Sequence, residues 1–289
     1  MHILYILALF LCAGASVRAR VDMVQSDVEE LRKHPMISHN MSEIQLQWIV
    51  IEEWSNLVGK CPELDPAANI HAVFDTSLVG TDVLAWASHT ILLEDGVWIP
   101  SIATYDYMGH DFIIGVNPEP VNGWHSGTNC DDIGWRYDLR TVLRHEILHG
   151  VGIGSSITEN GVGHTSSGVC YPRHYDTLIE DSDGNTVVDG CTLSDIKGKN
   201  VYINGVKLFN PAQFQRGSSL SHHVYAGHLM FYMLPPRKCL SIGNYEAKIL
   251  DRMGLRCSGF ELSGQQQIYP SLALSLLSFL CCLIAVSLA

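Results

Sequence analysis

Apolar and polar residues follow two different periods along the chain, and these periods predict where helices and strands form. Apolar residues three and four positions apart, the helical period, occur in residues 21–60, 137–150 and 244–253. The first of these stretches predicts a short helix followed by a longer one. Asp138 is the expected N-cap of the middle helix, because its side chain can accept a hydrogen bond from the first turn. Gly254 is expected to end the last helix.

Short runs rich in β-branched and aromatic residues follow the first helical stretch and predict strands. A hairpin is predicted at Asn200 to Phe209, where two apolar runs flank Asn204-Gly205, a strong two-residue turn signal. Because strands come first and helices frame them, the expected class is α+β, or α/β with a mixed sheet. The predicted strands are Ile70 to Phe74, Val83 to Leu93, Val97 to Tyr105 and Asp111 to Val116.

Both ends of the chain carry apolar runs that are typical of targeting signals. Residues 1–19 are predicted to be a secretory signal peptide, since the apolar run Ile3 to Cys12 is too short to span a membrane and precedes small residues. Small residues, a polar spacer and an apolar tail predict a GPI-anchor signal in residues 258–289. A permanent transmembrane helix is the rival, but no Lys or Arg follows the tail. The expected location is the extracellular face of the cell membrane, through a C-terminal lipid anchor, or a cell wall.

The body between these signals has about 240 residues, which is the size of one compact domain. The whole chain has 18 basic and 30 acidic residues, and its net charge is -12. This charge argues against nucleic acid as a partner, because phosphate binding needs a positive surface. A glycosylation sequon occurs at Asn40-Met41-Ser42.

Six cysteines lie in the body, and an even number in a secreted chain predicts three disulfides. The chain has no C-x-x-C pair, so zinc binding by these cysteines is disfavoured. Proximity along the sequence favours Cys170 with Cys191 and Cys239 with Cys257, which leaves Cys61 with Cys130.

The most informative motif is His145-Glu146-Ile147-Leu148-His149, on the predicted middle helix. Positions four apart lie on one face of a helix, so both imidazoles can point at one metal ion. Zinc suits imidazole ligands and keeps one position open for water, whose pKa it lowers. Glu146 can then act as general base and later pass the proton to a leaving amine.

A catalytic zinc needs a third protein ligand, and the sequence around the motif does not supply one directly. The compact metzincin pattern H-E-x-x-H-x-x-G-x-x-H has its glycine here at Gly152, but Ser155 occupies the third histidine position. The ligand must therefore come from elsewhere. The candidates are His164, His174, His222, His223 and His228.

The order of these motifs resembles the leishmanolysin-type branch of the metzincin metallopeptidases. The helix motif His145 to Gly152 is followed by a long insertion, the segment Ser219-Leu220-Ser221-His222, a Met-containing turn and a closing helix. The resemblance covers most of Val83 to Cys257. It implies an α+β, metzincin-like fold, with a mixed twisted sheet, an active-site helix and a disulfide-stapled C-terminal helical subdomain.

The resemblance also implies roles for particular residues. His145, His149 and His222 would bind Zn2+, with Glu146 as the base, and His223 is the alternative to His222. A methionine would lie beneath the metal, either Met233 in a Met-x-Pro turn or Met230 in a Leu-Met pair. The metallopeptidase domain would span residues 61–257, with residues 20–60 as a helical cap or a short propeptide.

The expected function is therefore a cell-surface zinc endopeptidase that acts on a peptide or protein substrate. By the resemblance, the substrate would add as an extended strand along a sheet edge near Phe112 to Val116. The alternative is a catalytically silent adhesion or recognition protein on the same scaffold. Glu146 favours the enzyme, because a purely structural zinc site has no need of a general base. A zinc hydrolase with a non-peptide substrate stays open.

Overall fold

The structure is a computed structural model of the 289-residue chain. It describes residues 41–95, 97–101, 111–163, 165–166, 169–189, 192–193 and 198–260. The predicted signal peptide, the first short helix, Asn40 of the sequon and most of the predicted anchor signal lie outside these residues and stay predictions. In the part of the chain described, no helix combines the length and apolar character needed to cross a membrane.

Helices and mixed small sheets make this an α+β fold, as the sequence predicted. The α-helices are α1 (Glu43–Val58), α2 (Leu139–Gly150), α3 (His174–Thr177) and α4 (Asn244–Arg252). The strands before α2 are β1 (Ile70–Phe74), β2 (Ala85–His89), β3 (Ile91–Glu94), β4 (Val97–Pro100), β5 (Phe112–Val116), β6 (Trp124–His125) and β7 (Tyr137–Asp138). Those after α2 are β8 (Thr165–Ser166), β9 (Val169–Cys170), β10 (Val188–Asp189), β11 (Thr192–Leu193), β12 (Tyr202–Ile203) and β13 (Val206–Lys207).

The main sheet has three described strands in the order β1-β5-β2. β1 runs parallel to β5, and β2 runs antiparallel to it. The strand Phe112–Val116 is therefore central, and the prediction of a sheet edge there was wrong. Its sequence fits the centre because a strand with a neighbour on each side and helices nearby is apolar throughout. The edge next to the cleft described below belongs to β2.

Helix α1 is an integral part of the core. Ser42 and Gln45 form a capping box at its start. Trp54 is buried, and its ring meets the edge of Phe112 in β5. The Gln47 amide bonds to the backbone of β1, donating to Ile70 O at 2.8 Å and accepting from Ala72 N at 2.9 Å. Gln47 thus satisfies backbone groups on the side of β1 that faces away from β5.

Helix α2 is almost entirely buried, between the sheet and the C-terminal half of the chain. Asp138 is its N-cap, as predicted, and accepts hydrogen bonds from Thr141 N at 2.9 Å and Thr141 Oγ1 at 2.6 Å. Gly150 is required at its last turn, because a Cβ atom there would lie 2.5 Å from the Phe112 ring. Helix and sheet therefore approach closely at the end of α2 that carries His149.

Two disulfides join distant parts of the described chain, Cys61 to Cys257 and Cys130 to Cys239. The predicted pairs Cys61–Cys130 and Cys239–Cys257 were wrong, because proximity in sequence does not track proximity in this fold. The segment after α1 lies against the segment after α4, where Ser258 N donates to Lys60 O at 2.8 Å. Cys191 lies outside the described residues, so the pair Cys170–Cys191 stays a prediction.

The hairpin predicted around Asn204-Gly205 is present as β12 and β13. Asn204 and Gly205 have φ angles of 49° and 72°, the left-handed conformations that this two-residue turn requires.

Candidate metal centre

Three histidine side chains converge on one point. His145 and His149 project from successive turns of α2, and His222 comes from the later Ser219–His222 segment. Nε2 of His145 lies 3.1 Å from Nε2 of His149 and 3.1 Å from Nε2 of His222. The Nε2 atoms of His149 and His222 are 3.3 Å apart. His145 and His222 are buried, whereas His149 is partly exposed.

The opposite nitrogen of each ring bonds to a backbone carbonyl. Nδ1 of His145 lies 2.8 Å from Leu229 O, and Nδ1 of His222 lies 3.1 Å from Ser218 O. Nδ1 of His149 lies 2.6 Å from Ile153 O. A carbonyl oxygen only accepts hydrogen bonds, so each Nδ1 must carry the ring proton. Each Nε2 therefore presents a lone pair to the other two.

A cation fits between these three lone pairs. The three Nε2 atoms carry no proton, so they cannot hydrogen bond to each other. One metal ion could accept the lone pairs of all three. A tetrahedral zinc ion with Zn–N distances of about 2.0–2.1 Å holds its ligands about 3.3–3.4 Å apart. The observed separations of 3.1–3.3 Å are close to this geometry.

The electrostatics keep the rings neutral. Burial lowers the pKa of His145, His149 and His222, in the last case to about 3. For His145 and His222, neighbouring imidazoles lower the pKa further. Neutral imidazole is the form that ligates metals, so the site needs no proton loss before it binds.

The turn after α2 completes the environment of His149. Gly152 has a φ angle of 114°, and a Cβ atom there would lie 2.7 Å from Pro100 Cγ. This conformation lets the chain reverse so that Ile153 O reaches His149 Nδ1. The glycine of the sequence motif thus helps to orient a histidine.

The segment that carries His222 contacts Ser155, the residue at which the compact sequence pattern would place the third histidine. Ser155 occupies that position, and its backbone N donates to Ser221 Oγ at 3.0 Å. Leu220, the residue before Ser221, has a backbone φ angle of 65°, which is uncommon for residues other than glycine. Hydrogen bonds on both sides hold it, from Leu220 N to Phe209 O at 2.7 Å and from Tyr175 Oη to Leu220 O at 2.9 Å.

His223, the alternative to His222, makes other contacts. Its ring is fully buried, and its Nε2 lies 3.0 Å from Glu246 Oε1. The same oxygen of Glu246 accepts from Met230 N at 2.9 Å. Met230 is fully buried, whereas Met233 is 58 % exposed and lines the cleft, and a methionine beneath the metal stays a prediction.

Glu146 lies in the same region, next to His145 on α2, and is 5 % exposed. Burial raises the pKa of Glu146 to about 8. It lines an open cleft of about 770 Å³ that also contains the three histidines. The arrangement combines three histidines that could hold a metal ion with a buried carboxyl group in the same open cleft.

Sequence reasoning missed two residues of this cleft, His89 and Arg173. His89 is at the end of β2, and its ring hydrogen bonds to the backbone carbonyl of His149. Burial, and then the positive charge of Arg173, lower the pKa of His89 to about 3. Neither residue belongs to a recognisable motif, so only the fold could have revealed them.

The remaining histidine candidates lie outside the triad. His174 is in α3, and the ring of His228 meets the edge of Tyr245. His164 lies outside the described residues. Ser155 and Ser156 both donate to the Asp176 carboxylate, at 2.6 Å each, so these serines have a structural partner.

In comparisons with known proteins, no family model, curated protein or solved structure matched this chain.

Proposed function

We propose that the chain is a zinc-dependent peptidase in which His145, His149 and His222 hold the metal and Glu146 is the general base. The observation that carries the proposal is the convergence of three unprotonated Nε2 atoms within 3.3 Å of one another. The buried carboxyl of Glu146 beside them supports a catalytic site over a purely structural one.

Zinc, when bound, would supply Lewis acidity and lower the pKa of a water molecule. The chain's own part is to move the proton. A Glu146 carboxylate oxygen takes the proton from the attacking water and passes it to the nitrogen of the leaving amine. Burial favours the protonated form of Glu146, which suits the second transfer, and a nearby cation favours the ionised form that the first one needs.

The substrate would lie along β2. Three consecutive residues of this strand, Ala85 to Ala87, line the cleft, and β2 has β5 on only one side among the described strands. An extended peptide can add to such an edge through main-chain hydrogen bonds. Exposed apolar side chains at the cleft would accept apolar substrate residues, namely Val83, Val121 and Met233.

The cell-surface location is part of the same proposal. The two disulfides are typical of a protein folded in an oxidising compartment. Attachment through a GPI anchor rests on the sequence of residues 258–289 alone.

The test is zinc content and peptide cleavage measured on the full chain, expressed through a secretory pathway. We expect one zinc per chain and cleavage of a mixed peptide library in the parent. Glu146→Gln should keep the zinc and lose at least about 100-fold in kcat/KM. His149→Ala should lose both zinc and activity.

His174→Ala is the matched control, since this histidine is outside the triad, and it should keep both properties. Zinc in the parent without any cleavage would favour the adhesion protein or a non-peptide substrate. A parent that binds no zinc would contradict the assignment of the site.

A further inference from the structure

Arg173 lines the cleft, and no acidic side chain among the described residues forms an ion pair with it. Its side chain is partly buried, and its Nε is buried without a hydrogen-bond partner among the described residues. Two buried arginines of the described residues, Arg140 and Arg144, are instead paired with carboxylates, although Nε of Arg140 also has no partner among these residues. Arg144 donates to Glu53 from Nε and Nη2 and to Leu240 O from Nη1, and Arg140 contacts Glu52 and Glu53.

Asp176, the acid whose charge acts on Arg173, already accepts hydrogen bonds from two serines. Asp176 Oδ1 accepts from Ser155 Oγ, and Oδ2 accepts from Ser156 N and Oγ. Its charge acts on Arg173 from a distance, without an ion pair in the described part of the chain. Burial lowers the pKa of Arg173, which means that its charge is only partly compensated. An anion in the cleft would compensate it.

The position of Arg173 places this charge near the metal centre. Arg173, His89 and the three histidines of the triad line the same cleft. The chain as a whole has a net charge of -12, whereas acidic and basic residues are balanced along the cleft. They are the arginines Arg173 and Arg216, the latter exposed, and the acids Asp82 and Glu146.

We propose that Arg173 forms a carboxylate-binding subsite, and that the preferred substrates are peptides with a carboxylate close to the scissile bond. The inference rests on the proposed peptidase function. A guanidinium binds a carboxylate through two parallel hydrogen bonds, and such charge-assisted pairs are strong in a partly desolvated cleft. The carboxylate has two possible sources, an Asp or Glu side chain and the C-terminal α-carboxylate of the peptide.

The first measurement is kcat/KM of the zinc-loaded full chain on matched peptides. Starting from one cleaved neutral sequence, Glu is compared with Gln at each of the three positions on either side of the cleavage point. Each peptide is made with a free C-terminus and with a C-terminal amide. We expect a preference of about 10- to 100-fold for a carboxylate at one position, which a charged hydrogen bond of this kind supports. A preference for Glu over Gln indicates a side-chain carboxylate, and a preference for the free acid over the amide indicates the C-terminal α-carboxylate.

The variants assign the preference to a residue. In Arg173→Gln the ratio between the carboxylate peptide and its neutral partner should fall close to one, and Arg173→Lys should keep part of it. Arg237→Gln is the matched control, because Arg237 lies over the Trp135 ring and does not line the cleft. Loss of the preference in Arg216→Gln, with retention in Arg173→Gln, would overturn the assignment.

Binding separates this inference from the proposed function. The affinities of labelled Glu/Gln and acid/amide peptide pairs, built on one neutral sequence whether or not it is cleaved, are measured for Glu146→Gln and for Glu146→Gln with Arg173→Gln, with zinc content checked in each. If the parent cleaves nothing, the peptidase proposal fails, and a carboxylate preference in binding that requires Arg173 still supports the subsite. Equal affinity for the Glu, Gln, acid and amide peptides would overturn the subsite, whether or not cleavage occurs.

Discussion

Three backbone carbonyls determine which nitrogen of each histidine is free for a metal. They belong to Leu229, Ile153 and Ser218, which lie in three separate turns. Each accepts from an Nδ1 and leaves the Nε2 lone pair directed inward. Loss of such supporting contacts typically weakens metal binding by about 10- to 100-fold, so the turns matter as much as the histidines.

Replacement of Gly152 tests whether the backbone carbonyl that orients His149 is needed for zinc binding. Gly152→Ala puts a side chain at a φ angle of 114° and a Cβ within 2.7 Å of Pro100. The turn must shift, and Ile153 O moves away from His149. We expect zinc affinity, measured by competition with a chelator, to fall roughly 10- to 100-fold.

Gly80→Ala is the control for this experiment. Gly80 also has a positive φ angle, 78°, but a Cβ there would meet nothing within 4 Å. It should show the cost of backbone strain, about 1 kcal/mol in the free energy of unfolding, with unchanged zinc affinity. Equal losses of zinc affinity in both variants would contradict the role given to Gly152.

At the scale of whole elements, α1 and α2 are joined by a buried ion cluster. Glu53 of α1 accepts from Arg140 at 2.7 Å and from Arg144 at 2.7 and 3.0 Å. Arg144 also donates to Leu240 O at 2.9 Å, which links both helices to the C-terminal half. The helix that carries His145 and His149 is therefore fixed from two sides.

Glu53→Gln should strongly destabilise the protein. It leaves the buried Arg144 without a carboxylate and Arg140 with only Glu52, and breaking a buried ion pair in this way costs roughly 3–5 kcal/mol. Urea denaturation of the full chain measures the loss in the free energy of unfolding. Glu52→Gln is the matched change on the neighbouring residue, whose side chain is 57 % exposed. It should cost at most about 1 kcal/mol, and similar losses in both would argue against the importance of the buried cluster.

At the scale of the whole molecule, the two disulfides fix the C-terminal half to the N-terminal half. Cys61 and Cys257 are 196 residues apart in sequence, and Cys130 and Cys239 are 109 apart. Cross-links over such long intervals remove much conformational freedom from the unfolded chain. They also close the domain around α2, since Cys61 follows α1 and Cys257 follows α4.

The double variant Cys61→Ser, Cys257→Ser should be less stable by roughly 3–5 kcal/mol in the chain-entropy account. Urea denaturation without reductant measures the difference. A non-reducing peptide map of the parent provides the structural check. It should contain the Cys61–Cys257 and Cys130–Cys239 cross-links, and a Cys61–Cys130 fragment would contradict the arrangement of the halves.

The sequence by itself determined the features that depend on neighbouring residues. The H-E-x-x-H spacing placed His145 and His149 on one helical face, and Asp138 marked where that helix starts. Asn204-Gly205 specified a hairpin because few residue pairs adopt its turn. These signals are local, since helix periodicity, caps and tight turns each involve a few consecutive residues.

Only the tertiary structure decided the contacts between distant residues. It placed Phe112–Val116 at the centre of the sheet and β2 at its edge, and it paired Cys61 with Cys257. It brought His222 to the triad while the adjacent His223 contacts Glu246, and it brought His89 and Arg173 into the cleft. Each outcome depends on how separate elements pack, and packing of the apolar faces is a property of the whole chain that no short window of sequence contains.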